Sequence, residues 1–333
     1  MKETNRYLMI SGGCLRQNGY ELGEGKYYDQ AKLIKLDLST GVFSTLLSKK
    51  GGGENYPQDH PNQQYTAACL EYDILWLPTD TEIFKYQLPS FELLVTYSYP
   101  CFHNIHSVHI FGDELVVTST GIDNVIKLNK HSGEINAVLN TQGKDPWHRF
   151  DPEFDYRLIH STRPHDNHPN FVFSLNDELW VTRCKQEDAV KLSDVSQKID
   201  ISGTDVISVH DGIVWQNKVV FTRVDGFLVV CDPKNKKPVE QIDPFKQTRN
   251  RPVGWCRGLH IDGDIFYIGY SKVRQTKLKS KIKFLTQGNF KYKGSNNALV
   301  VAYNMATREV ENVFETPDGT LDAIYGILPY QYE

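Results

Sequence analysis

The sequence predicts an all-β protein, a six-bladed β-propeller, and two observations support this fold class. The first is a repeat of about forty residues in which a polar residue opens one apolar strand and a second apolar strand follows. The second is a further copy of the repeat that is divided between the two ends of the chain. Sheet modules that close head to tail in this way leave only short, protected edges.

Five complete copies can be aligned on the residues that open their first strands: Thr66, His106, Asn170, His210 and Arg257. Each of these residues leads into an apolar stretch, and a second apolar stretch follows after a short turn. The interval between His106 and Asn170 is longer than the others, which indicates one repeat plus an insertion.

The sixth copy joins the termini of the chain. Residues 322–327 have the form of a first strand, opened by Asp322, whereas residues 6–11 and 32–37 have the form of later strands. We therefore predict that N- and C-terminal strands pair in one blade and close the ring. Gly41 and Gly133 mark turns of outer hairpins in two of the modules.

The length and composition of the chain limit the domain organisation and the classes of function that we expect. The chain is expected to be a single domain over residues 1–333, because no Pro- or Ser-rich linker interrupts it. A formal charge of −4 and a pI near 6.3 argue against general nucleic-acid binding.

No apolar run has signal-peptide length or the roughly 18 residues of a transmembrane segment, so a cytoplasmic protein is expected. Six cysteines without CxxC spacing predict free thiols rather than disulfides or structural zinc.

The polar residues that open the first strands should converge near the mouth of the central channel, because these strand starts share one face of the propeller with the ends of the second strands. Two long insertions, residues 143–169 and residues 272–296, are expected on the same face. The first is rich in histidine, arginine and aromatic residues, and we predict that it forms a partial lid over the channel mouth.

His106, His210 and either His165 or His168 are candidate ligands for a divalent metal such as Mn²⁺, Fe²⁺ or Zn²⁺, and His168 is taken as the third ligand. Neutral imidazoles on rigid strands fix a coordination geometry that suits these ions. The alternative is that they are hydrogen-bonded residues lining a wet channel. His106 or His210 is also a candidate general base, with Asp322 or Asp211 to orient the imidazole.

A second set of candidates consists of arginines: Arg183, Arg223, Arg257 and Arg274. Guanidinium groups bind carboxylates and phosphates through paired hydrogen bonds, so this set indicates an anionic small molecule. Asn170 would help to orient that ligand, and Trp147 could provide a stacking surface. The alternative is that each arginine pairs with a neighbouring carboxylate and ties the blades together; the candidates are Asp188, Asp225 and Asp322.

The second insertion, residues 272–296, contains eight basic residues and no acidic one. Such an arm could contact an acidic partner, a phosphorylated ligand or an anionic membrane surface. A solvated basic arm without a partner is the simpler interpretation of the same pattern.

Two segments, residues 210–221 and 165–170, resemble the histidine-bearing strand starts of carotenoid-cleaving oxygenases, seven-bladed propellers that hold iron with four histidines. The blade count resembles instead the gluconolactonase-type propellers, whose carboxylate and amide metal ligands match at Asn170 and Asp322. Residues 146–152 and 254–259 look like strings of uncharacterised bacterial propeller proteins. The first two resemblances imply a bound metal, and the last implies the fold alone.

Two hypotheses follow for the function. The leading one is an enzyme or ligand-binding propeller whose loop-rich face holds an anionic small molecule, for example a carboxylated or phosphorylated sugar, with or without a histidine-bound metal. The competing one is a non-catalytic scaffold that binds a protein partner on the same face. A ligand site should show titratable groups converging in a concave pocket, whereas a scaffold should show an exposed apolar patch.

Overall fold

The computed structural model describes residues 6–17, 23–202, 208–246, 254–272 and 297–332. Over these ranges the chain forms 24 β-strands and two short 3₁₀ helices, Thr120–Ile122 and Tyr156–Leu158. The strands form six sheets of four antiparallel strands each, arranged as a β-propeller. The predicted fold class is therefore confirmed.

Five blades follow one another along the chain, and each runs from its innermost to its outermost strand. Blade 1 comprises β4 (Cys69–Glu71), β5 (Ile74–Pro78), β6 (Ile83–Gln87) and β7 (Glu92–Tyr97), and blade 2 comprises β8 (Ile105–Phe111), β9 (Glu114–Ser119), β10 (Asn124–Asn129) and β11 (Ile135–Asn140). Blade 3 comprises β12 (Pro169–Leu175), β13 (Glu178–Arg183), β14 (Asp188–Lys191) and β15 (Asp194–Asp200). Blade 4 comprises β16 (Val209–Trp215), β17 (Lys218–Arg223), β18 (Leu228–Asp232) and β19 (Lys237–Ile242), and blade 5 comprises β20 (Gly254–Asp262), β21 (Ile265–Lys272), β22 (Leu299–Asn304) and β23 (Glu309–Glu315).

The sixth sheet, the closing blade, combines both ends of the chain. Its innermost strand is β24 (Ala323–Tyr330), followed outward by β1 (Tyr7–Leu15), β2 (Tyr28–Asp37) and β3 (Phe43–Lys50). Strand β24 pairs antiparallel with β1, with Ile327 opposite Ile10. The hydroxyl of Ser11 donates to the backbone oxygen of Thr66 (2.8 Å), which joins the closing blade to blade 1. The predicted closure by terminal strands is thus confirmed.

The hydrophobic core is distributed between the blades. One apolar cluster lies at each of the six junctions between neighbouring blades, as in the cluster of Trp76, Phe102 and Leu115 between blades 1 and 2. Second strands such as β9 are buried on both faces and read as continuous apolar runs, whereas the outermost strand β3 is largely exposed. Because each blade buries its two faces only against its neighbours, the ring must close to be stable.

All six cysteines are free. In the described part of the chain, neither helical segment is long and apolar enough to cross a membrane.

Candidate functional site

The residues predicted to open the inner strands lie on β-bulges. In blades 2 to 5 the register between the inner strand and its neighbour shifts, so that two inner-strand residues face a single residue on the second strand. The first residue of each bulge is, in turn, His106, Asn170, His210 and Arg257. A bulge bends a strand and redirects its side chains, and bulges are common beside binding sites.

In three of these blades, a threonine on the second strand supports the bulge. The hydroxyls of Thr118, Thr182 and Thr222 accept hydrogen bonds from the second bulge residue in blades 2, 3 and 4, at 2.8, 3.0 and 3.0 Å. In blade 5 the equivalent residue is Gly269, where a Cβ would lie 2.3 Å from the backbone oxygen of Arg257. Glycine is therefore needed where the backbone of Arg257 approaches this closely.

In the closing blade, the residue at the equivalent position of the inner strand is Tyr325. The sequence alignment had assigned this position to Asp322. Tyr325 is the extra residue in the shifted register between β24 and β1. Asp322 lies three residues earlier, where its carboxylate accepts the amide of Leu15 (2.8 Å) and pairs with Lys272 (3.4 Å). Apolar periodicity does not reveal a bulge, so the sequence alignment selected the nearest polar residue instead.

The bulges bring four predicted residues and one unpredicted residue together. The imidazole of His106 stacks with that of His210 at a centroid distance of 5.5 Å and meets His168 edge-on at 5.0 Å. The ring of Tyr325 lies 6.1 Å from that of His106, and the guanidinium of Arg257 lies 4.8 Å from the Tyr325 centroid. Residues far apart in the sequence thus form one polar cluster at the channel.

The tautomer of His106 is fixed by Asn170. The Asn170 amide nitrogen donates to the backbone oxygen of Val209 (2.7 Å), which leaves its oxygen to accept from His106 Nδ1 (2.7 Å). Burial, followed by the neighbouring His168, His210 and Arg257, lowers the pKa of His106 well below its usual range. A neutral imidazole that is protonated on Nδ1 has a lone pair on Nε2, so His106 is a hydrogen-bond acceptor on that side.

Asp211 fixes the tautomer of His210 in the same manner. His210 Nδ1 donates to the Asp211 carboxylate (3.1 Å), whose other oxygen accepts from the hydroxyl of Thr222 (2.9 Å) and the amide of Gly258 (2.7 Å). Burial lowers the pKa of His210, and the Asp211 charge opposes this effect. The predicted orienting carboxylate is thus provided by Asp211, since Asp322 is engaged elsewhere.

His168 is positioned by a buried carboxylate in the insertion loop. Asp123 accepts backbone hydrogen bonds from the consecutive residues Asp166, Asn167 and His168, at 2.7 to 2.9 Å, and an ion pair from Arg149 at 2.9 Å. These hydrogen bonds hold the backbone of His168 in a left-handed conformation, with φ of 57°. Burial lowers the pKa of His168 well below its usual range.

The two ends of the insertion 143–169 differ in position. Near its C-terminal end, Arg163 pairs with Glu24 (2.9 Å) and the hydroxyl of Ser161 donates to the same carboxylate (2.6 Å). Near its N-terminal end, Trp147 is half-buried against the apolar cluster between blades 1 and 2. The insertion therefore reaches the cluster through Arg163 and His168, whereas Trp147 packs against the blades.

The cluster borders a cavity of about 80 Å³. Its walls are formed by Glu24, Gly25, Tyr27, Tyr28, Asn62, Gln64, Asn104, His106, Arg163, His168, Arg257 and Tyr325. A water molecule occupies about 30 Å³ in the liquid, so the cavity accommodates two or three waters or one carboxylate-sized group. The wall includes His106, His168 and Arg257 of the predicted site residues, whereas six others are not among the wall residues: Trp147, Asn170, Arg183, His210, Arg223 and Asp322.

Arg257 brings a buried cation to this site. Its guanidinium stacks between Trp255 (5.2 Å) and Tyr325 (4.8 Å), and its Nε is buried without a hydrogen-bond partner in the described part of the chain. Among the described residues, no carboxylate forms an ion pair with it. Because the three imidazoles are neutral, Arg257 gives this side of the cavity a positive charge.

Two of the other predicted arginines are occupied by carboxylates. Arg183 forms two hydrogen bonds with Asp188 (2.8 and 2.6 Å) and a third with the backbone oxygen of Thr141. Arg223 forms two hydrogen bonds with Asp225 (3.1 and 2.7 Å). Each arginine thus pairs with a neighbouring carboxylate, as in the alternative interpretation, but both pairs lie within one blade, and of these contacts only the bond from Arg183 to Thr141 joins two blades.

Two further predictions concern the basic insertion and a metal ion. Except for Lys272, the insertion 272–296, with Arg274, lies outside the described residues. Within the described ranges, no group of three or more His, Cys, Asp or Glu side chains is arranged to hold a metal ion.

The fold and the cavity together define a six-bladed propeller with a polar site at its channel mouth. No protein-family model matches the chain, and no curated protein is similar to it in sequence. Among solved structures, a protein of unknown function from Bacteroides caccae is similar, with a TM-score of 0.60 and 10% identity over 97% of this chain and 98% of that one. A chain of the nidogen/laminin complex is similar with a TM-score of 0.56 and 10% identity, over 96% and 97% of the two chains.

These likenesses show the fold and agree with the predicted resemblance to uncharacterised bacterial propellers. They give no support for a resemblance to carotenoid-cleaving oxygenases, and the chain has six blades where that family has seven.

Proposed function

We propose that this propeller binds an anionic small molecule at the mouth of its central channel, with the carboxylate or phosphate group of the ligand on Arg257. The observation that carries the proposal is the buried guanidinium of Arg257, which has no carboxylate partner among the described residues. A buried charge without a partner is costly, and an anionic ligand compensates it. Arginine is well suited to this role because its planar fork matches a carboxylate or a phosphate.

The size of the cavity limits which part of the ligand it can hold. About 80 Å³ admits an anionic end group but not a complete sugar ring. A carboxylated or phosphorylated sugar would therefore place its anionic end in the cavity beside Arg257 and its ring outside the cavity.

The test is isothermal titration calorimetry with acetate, phosphate, glucuronate and glucose 6-phosphate. We expect at least one of these anions to bind, and Arg257→Gln to weaken its binding about 10- to 100-fold, because charged hydrogen bonds contribute about 1.5–3 kcal/mol. Arg308→Gln is the matched control, because Arg308 is half exposed and pairs with Glu240 at the outer edge of the propeller. Equal affinities for the wild type and Arg257→Gln would contradict the proposal.

A second candidate function is a histidine-bound divalent metal, Mn²⁺, Fe²⁺ or Zn²⁺, at His106, His168 and His210. It is favoured by the way in which Asn170 and Asp211 hold the Nδ1 atoms of His106 and His210, since metal-binding histidines are oriented by such partners. In such a site the Nε2 atoms of His106 and His210 would be the metal ligands.

Metal content measured by plasma mass spectrometry tests this candidate. Stoichiometric metal in the wild type that is lost from a folded His106→Ala/His210→Ala variant would favour a metalloprotein. Wild-type protein that remains metal-free after supplementation with Mn, Fe and Zn would overturn it.

A protein-binding scaffold remains the competing proposal for the same face. Its support is the likeness to a chain from the nidogen/laminin complex, which is an assembly of proteins. The concave, polar character of the cavity favours the small-molecule proposal.

A further inference from the structure

Besides Oε1 of the wall residue Gln64, three buried polar atoms near the channel mouth have no hydrogen-bond partner in the described structure: Thr66 Oγ1, His210 Nε2 and Arg257 Nε. They come from blades 1, 4 and 5. Arg257 is a wall residue of the cavity, whereas Thr66 and His210 are not wall residues and lie beside the wall residue His106. Thr66 is placed beside His106 because the next residue, Ala67, pairs in parallel with Ser107. Buried polar groups are almost always paired, so three unpaired atoms around one channel indicate a missing partner.

The required partner can be specified from the chemistry of these atoms. His210 donates its Nδ1 hydrogen to Asp211, so its Nε2 can only accept a hydrogen bond. Its ring is 1% exposed and lies 5.5 Å from the ring of His106 and 6.3 Å from that of Tyr325. Arg257 Nε can only donate, and the Thr66 hydroxyl can do either.

A simple anion cannot form hydrogen bonds with all three of these atoms. A carboxylate or a fully ionised phosphate offers only acceptor atoms, so it can pair with Arg257 but not with His210 Nε2. His106 adds a second acceptor on the cavity wall, because its Nδ1 hydrogen is committed to Asn170. The site therefore requires a donor as well as an anion.

We propose that the ligand is a hydroxylated anion, of which a hydroxycarboxylate is the smallest example, and that His210 and Thr66 recognise its hydroxyl group. The hydroxyl donates to His210 Nε2 and accepts from Thr66, while the carboxylate lies on Arg257. This inference rests on the proposed function, because the anionic half of the ligand is bound by Arg257.

Matched pairs of ligands test the inference in the wild-type protein. Lactate and propionate have the same charge and carbon skeleton and differ by one hydroxyl, as do malate and succinate. Sites built to hydrogen-bond a hydroxyl discriminate strongly against analogues that lack it. We expect the hydroxylated member of each pair to bind at least 10-fold more tightly, measured by calorimetry or by ligand-observed NMR.

Two variants assign the preference to particular atoms. Thr66→Val removes an unpaired hydroxyl at nearly constant volume, and His210→Phe retains an aromatic ring beside His106 but removes the acceptor. Each is expected to reduce the lactate preference while the affinity for propionate remains. Thr141→Val is the control, because its buried hydroxyl also lacks a partner in the described structure, but Thr141 follows the outermost strand of blade 2 and not an inner strand at the channel. If His210→Phe does not fold, Thr66→Val and the wild-type ligand pairs still decide.

The outcomes separate this inference from the function on which it rests. If propionate and lactate bind wild type equally and both depend on Arg257, the anion site stands and the hydroxyl inference is overturned, with ordered water as the partner of His210. If neither acid binds, or if binding is independent of Arg257, the proposed function fails and this inference fails with it. A preference that persists in both Thr66→Val and His210→Phe would also overturn the inference.

Discussion

Two sets of buried arginines in this propeller have opposite surroundings. Arg183 and Arg223 end the second strands of blades 3 and 4, and each forms paired hydrogen bonds with a nearby aspartate of its own blade. Arg257 lies on the bulge of blade 5, stacks on two aromatic rings and has no such aspartate among the described residues. All three are at most 9% exposed, so burial does not distinguish them. The difference teaches that a buried arginine supports the fold where its blade provides a carboxylate, and can serve a ligand where the blade does not.

The largest expected effect follows from breaking one of the internal pairs. Arg183→Met leaves the carboxylate of Asp188 buried without its partner, so we expect the free energy of unfolding to fall by about 3–5 kcal/mol. Arg257→Met leaves no carboxylate without a partner. It removes cation–π contacts but also a buried charge that has no ion-pair partner among the described residues, so the free energy of unfolding should fall by less than about 1 kcal/mol or rise. Chemical denaturation of both variants measures the difference.

The double variant Arg183→Met/Asp188→Leu is the control for this comparison, because it removes both charges together. It should recover most of the lost stability, since replacing both members of a buried ion pair by apolar residues is often neutral. A similar loss in Arg183→Met and Arg257→Met would contradict the division of the arginines into two kinds.

The histidines extend the comparison to pH. His260 lies on the inner strand of blade 5, stacked on Tyr267, and burial lowers its pKa to about 4. Between the unfolded pKa of about 6.5 and this value, the unfolded chain binds the proton and the folded one does not, so stability falls as pH falls through this window. His260→Phe removes this titration, and its stability relative to wild type should rise by up to about 2 kcal/mol from pH 7 to pH 5.

Denaturation curves for both proteins at the two pH values measure this effect. His131→Phe, which makes the same substitution at a largely exposed histidine in an outer turn, is the control for the exchange of the side chain itself. A parallel loss of stability in wild type and His260→Phe would show that His260 gains a proton in the folded state as readily as in the unfolded one.

Most of the residues at the channel mouth could be predicted because the repeat assigns each residue a position within its blade. Aligning the copies selected His106, Asn170, His210 and Arg257, which are the first residues of four consecutive bulges. Tyr325 was missed because the bulge in β24 displaces the equivalent position by three residues from Asp322. Asp123, which holds His168, was missed because its role depends on three backbone amides of a loop more than forty residues away in the sequence.

The sequence by itself determined the all-β class, the number of blades and their closure by terminal strands, because these follow from local apolar patterns repeated along the chain. Only the tertiary structure decided which polar residues are engaged internally and which face the cavity. Arg183 and Arg257 are the same residue in comparable burial, and their roles depend on whether a carboxylate lies within hydrogen-bond distance. That distance is set by strand register and by bulges. The free energy of a charged hydrogen bond depends strongly on the distance, whereas the apolar pattern of the sequence does not reveal it.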